Sequence, residues 1–75
     1  HHLKPMNQIK KSLVLSGHKT SIALEKEFWI ALEIISKNQN IDIDKLIEEI
    51  DRNDRNGSLA SAIRVFILKK FINLD

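Results

Sequence analysis

Cysteine and tyrosine are absent from the 75 residues, proline and tryptophan occur once each, and glycine occurs twice. Without a thiol there is no disulfide staple and no thiolate metal site, a composition that suits a reducing compartment. Two glycines cannot build a phosphate-cradling loop, and HExxH and GxSxG are also missing, so the common nucleophile, metallohydrolase and nucleotide-binding arrangements are excluded and no enzyme is expected. There is no run of about eighteen apolar residues and no apolar signal core at the start, which predicts a soluble, cytoplasmic protein without membrane contact. A single small domain buries little apolar surface, so association with a second copy is expected to supply part of its stability.

The charge that is present is unevenly spread. Lys4, Lys10, Lys11 and Lys19 stand without an acid in the first twenty residues, whereas Glu25 to Asp54 holds nine acids against four basic residues. A basic leader suits a polyanion, and the acidic middle does not. His1-His2-Leu3-Lys4-Pro5 looks like the end of an expression tag, with Met6 as the natural first residue. Residues 1–10 are therefore predicted to be tag remnant and flexible arm, and residues 11–75 the folded domain. His18 has no neighbour at metal-ligand spacing, and Glu48, Glu49, Asp51 and Asp54 do not follow a calcium-loop pattern. No metal or cofactor is expected, and these acids read as a solvated helix face.

Hydropathy divides the domain further. His18 to Leu24 alternate in strand fashion, with Thr20, Ile22 and Leu24 on one side and Lys19, Ser21 and Ala23 on the other. A lone strand leaves its ladder hydrogen bonds unmade, and a second copy of the chain would supply the partner. Residues 12–15 are also β-prone. With Ser16-Gly17 as a turn they form a hairpin with the main strand; without it, residues 12–24 are one bent strand. Phe28, Ala31, Leu32 and Ile35 give a first helix its apolar stripe, and Trp29 beside it reads as a core or interface aromatic. A second helix opens at Asp42 and buries Leu46, Ile47 and Ile50; Asp51 to Gly57 reads as a loop. A third helix runs from a Ser58 cap to about Asn73, and its apolar residues on most sides predict packing across a partner chain.

The run TSIALEKEFWIALEIISKNQNIDIDKLIEEI, a strand, a helix, a short polar turn and a second helix, resembles the ribbon-helix-helix family of DNA-binding proteins. GHKTSIALEKEFWIAL and SLASAIRVFIL are similar to a bacterial subgroup with an added C-terminal helix. The resemblance implies a mostly α fold with a short β-strand: an intertwined homodimer whose intermolecular antiparallel β-ribbon reads double-stranded DNA in the major groove. It assigns the base-facing role to Lys19, Ser21 and Ala23, with Lys10, Lys11 and His18 as weaker backbone or arm contacts. Lysine can donate to guanine, serine can donate or accept, and alanine can touch a thymine methyl. The family also presents the amides at the start of the second helix to a phosphate, where Asp42 and Asp44 place negative charge instead. Two functions stand side by side: a transcriptional regulator, and a protein-interaction or antitoxin-like dimer that uses the fold without direct DNA readout.

Overall fold

The computed structural model describes residues 8–53 and 57–72. The tag-like start, residues 54–56 of the expected loop and the expected helix end at Asn73 lie outside the described residues. Five elements follow in order: β1 (Gln8–Leu15), β2 (His18–Glu25), α1 (Lys26–Gln39), α2 (Ile43–Asn53) and α3 (Leu59–Ile72).

The hairpin alternative is the one adopted. β1 and β2 pair antiparallel, from Gln8 opposite Glu25 to Leu15 opposite His18, so β2 finds its first partner within its own chain. β1 begins at Gln8, inside the segment expected to be a flexible arm. The connection is tight because Ser16 and Gly17 both have positive φ, 52° and 82°, as a two-residue turn matching the strand twist requires. Serine is strained there, and Asn tolerates the left-handed region better. Ser16→Asn is therefore expected to stabilise the protein by about 0.5–1 kcal/mol, measured by denaturant titration. The Ser16 amide, which donates to Glu48 Oε2 at 2.7 Å, would be kept.

β2 turns directly into α1 at Glu25, whose side chain does not cap the helix. At the other end Asn40 takes φ 59°, its amide donates to the Lys37 carbonyl and the Ile41 amide to the Ser36 carbonyl, which closes α1 in a Schellman arrangement. α2 extends through Asn53, so Asp51 to Asn53, expected in a loop, are helical. Ser58 caps α3 as expected: its Oγ accepts from the Ser61 amide at 3.1 Å.

The core lies between the hairpin and the three helices. Leu13, Leu15, Ile22 and Leu24 project from the strands onto Trp29, Leu32 and Ile35 of α1, Leu46, Ile47 and Ile50 of α2, and Leu59, Ala62, Ile63 and Ile67 of α3. Trp29 is thus a core residue, and its indole Nε1 donates to the Ile9 carbonyl at 2.8 Å. Phe28 and Ala31 of the expected stripe are only partly buried. α3 is also shared between core and surface. One side packs on α1, α2 and β2 of its own chain, and Val65, Leu68, Phe71 and Ile72 on its outer side remain exposed.

Candidate nucleic-acid interface

Because Ile22 and Leu24 are buried, Lys19, Ser21 and Ala23 project from the opposite face of β2. The register places Val14 opposite Lys19, Ser12 opposite Ser21, and Lys10 opposite Ala23, all on that same outer face. Two lysines and two serines are thereby gathered on a two-stranded ribbon together with Val14, which is exposed, and Ala23, which is half-buried. Ser12 is an addition to the expected group. The alternation of Lys10, Ser12 and Val14 is the signal that could have found it, but only the register across the turn aligns it with β2.

Lys11 and His18 lie elsewhere. Lys11 projects from the helix side of β1, with Nζ 5.0 Å from the centroid of the Trp29 ring. His18 sits opposite Leu15 beside the turn and lines a groove with Thr20, Asp51 and Leu59. The two adjacent lysines of the leader are therefore split between faces.

The edges of the hairpin are unequal. The Val14 amide points away from β2 and donates to Asp44 Oδ2 at 3.4 Å, while the Ser16 amide donates to Glu48. Two carboxylates one turn apart on α2 thus cover the end of β1's outer edge, which blunts it against further pairing. Glu48 is consequently a structural acceptor and not part of a purely solvated acidic face. By the alternation of an antiparallel ladder, Lys19, Ser21 and Ala23 also point their amides and carbonyls away from the hairpin. Those groups have no hydrogen-bond partner among the described residues. A groove of about 600 Å³ follows this edge, with consecutive residues Thr20 to Ala23 on one wall and the cap Ser58 with Leu59 and Ala60 of α3 on the other.

The acids near the start of α2 are arranged differently from expectation. Asp42 contributes its backbone carbonyl, which accepts from the Leu46 amide at 2.9 Å, while its exposed carboxylate makes no capping bond among the described residues. Asp44 faces β1. On the ribbon itself the nearest acid is Glu25, which accepts from Gln8 Nε2 at 3.1 Å and from Arg64 Nε of α3 at 3.1 Å. The Gln8 hydrogen bond, then Glu25's own backbone amide and, against a smaller desolvation effect, Arg64 hold its carboxyl below the ordinary 4.5. A depressed folded value means the stabilisation is complete above the unfolded value and is lost as pH falls through the folded one. The melting temperatures of the wild type and Glu25→Gln are therefore expected to differ at neutral pH and to converge as pH falls below 4.5.

No group of three or more potential metal ligands and no helix long and apolar enough to cross a membrane occurs among the described residues. Comparison with curated proteins and with solved structures yields no match. A family model described as a ribbon-helix-helix domain matches residues 8–71, from the first residue of β1 almost to the end of α3. The hairpin and the helices that follow it agree with that match, and the chain belongs to the ribbon-helix-helix domain family, a non-enzymatic DNA-binding fold.

Proposed function

We propose that the protein is a homodimeric, sequence-specific DNA-binding regulator that acts on cytoplasmic DNA and presents its ribbon to the major groove. The observation that carries this reading is the outer face of the hairpin, where Lys10, Ser12, Lys19 and Ser21 stand together while the α2 carboxylates Asp44 and Glu48 are turned to the strand edge. The open edge of β2 is where a second copy would add, antiparallel and centred near Ser21, giving a four-stranded sheet. With strands about 4.8 Å apart, each β2 lies about 2.4 Å from the twofold axis and each β1 about 7 Å from it. The major groove is about 12 Å wide, so the two β2 strands fit within it and β1 lies above its rim. Lys19, Ser21 and Ala23 then face base edges, and Lys10 faces phosphates.

This assignment separates the two adjacent lysines. Lys10→Ala is expected to weaken all duplexes alike and to reduce the slope of log K against log salt by about one for each phosphate left without its cation. Lys11→Ala, which removes a cation from beside Trp29 on the other face, is expected to leave that slope unchanged. Selection from random duplexes at low salt, followed by polarisation titration at two salt concentrations, tests the reading. Recovery of a preferred sequence supports it, and the absence of any bound duplex overturns it.

A protein-interaction or antitoxin-like role is the second reading. Its support is the outer side of α3, where Val65, Leu68 and Ile72 form an exposed apolar stripe that DNA binding does not use.

A further inference from the structure

The outward face of α1 carries Glu27, Ile30, Ile34 and Lys37. At 3.6 residues per turn these four fall within about a quarter of the helix circumference, opposite the buried Leu32 and Trp29. Ile30 and Ile34 are 46% and 45% exposed, and Glu27 and Lys37 are exposed with no side-chain partner among the described residues. The order acid, isoleucine, isoleucine, base has spacings of three, four and three, the same in either direction. Such a face is complementary to itself when a second helix runs antiparallel. Ile30 then meets Ile34 of the other copy, and Glu27 meets its Lys37, twice over.

We propose that α1 forms a twofold interface between copies of this chain, separate from the open edge of β2 and independent of the pairing suggested there. The charges argue for a second copy: a parallel approach would set Glu27 against Glu27 and Lys37 against Lys37, and an unrelated partner would not require a self-complementary face. Ile34 and Phe71 line the same shallow cavity, of about 270 Å³, and Phe71 shares a neighbouring apolar hollow with Leu68. α3 thereby widens the apolar strip beyond what two isoleucines offer. A chain with two different twofold contacts assembles past the dimer, into a closed tetramer or a growing array.

Charge reversal separates this contact from the local roles of the same residues. Glu27 and Lys37 also complement the α1 dipole from its first and last turns, so a variant that swaps them opposes the dipole at both ends. Sedimentation velocity over a concentration series is expected to show wild type associating beyond the dimer, and Lys37→Glu weakening the α1 step by about tenfold, since two attractive pairs become repulsive. Glu27→Lys/Lys37→Glu is expected to restore association to within about threefold of wild type, although its melting temperature falls. Because the chain has no cysteine, mixing Ile30→Cys with Ile34→Cys provides a second readout, expected to give mixed disulfides in excess of either homodisulfide. The interface is overturned if Lys37→Glu associates like wild type, if the double swap is no better than the single, or if homodisulfides predominate. Failure of the β2 pairing alone would look different: wild type would stop at a dimer, and Lys37→Glu would shift that monomer–dimer equilibrium towards monomer by the same factor.

Discussion

Leu32→Ala is expected to destabilise the protein by about 2 to 5 kcal/mol, the range for deleting a buried leucine side chain whose surroundings relax only partly. Leu32 is 0% exposed and lies in the cluster where α1 meets the hairpin and the other two helices. For a domain this small, such a loss corresponds to a fall in melting temperature on the order of 10 °C or more. Phe66→Ala should cost less, because Phe66 is only half-buried and Lys70 covers its ring from 5.6 Å. Glu49→Ala, on an exposed position of α2, should stay within about 0.5 kcal/mol. Melts at one fixed protein concentration rank the three, since association would otherwise shift the midpoint. Equal losses at all three positions would contradict the core described above.

Lys19→Ala is expected to lower affinity for a selected operator by about 1 to 3 kcal/mol for each base it reads, while leaving non-specific binding mostly intact. The reason is position. Lys19 stands on the outer ribbon face opposite Val14, next to the open edge of β2, and would lie near the centre of the sheet if two copies join there. Lys10 is on the outer strand, where its cation would meet phosphates of any sequence. Competition titrations against operator and scrambled duplexes distinguish the two roles: selective loss for Lys19→Ala and uniform loss for Lys10→Ala. A uniform loss from both substitutions would rule out direct readout by the ribbon.

The elements whose cause is local are legible in the sequence. Ile22 and Leu24 alternate with Ser21 and Ala23, Leu46, Ile47 and Ile50 recur at helical spacing, and Ser58 precedes an apolar run; the structure has each as a strand, a helix face and a cap. What is not legible depends on pairing across distance. Residues 12–15 read equally well as hairpin or bent strand, because Ser16-Gly17 is a weak turn signal and the decision rests on Leu13 and Leu15 reaching the core. Glu48 looks like a solvated acid because nothing near it in sequence shows that the Ser16 amide needs an acceptor. The split of Lys10 from Lys11 follows from strand alternation, but treating residues 1–10 as an arm conceals it. α3 is apolar on most sides, and composition alone does not say which side meets its own chain.

If the outer face of the hairpin is the DNA-binding surface, amide chemical-shift mapping will locate the contact there. Adding a selected duplex to isotope-labelled protein is expected to shift Lys10, Ser12, Lys19, Ser21 and Ala23 together, with Ile30 and Ile34 of α1 and Leu68 of α3 unmoved. Shifts concentrated on the helices, with the ribbon residues unchanged, would contradict that assignment.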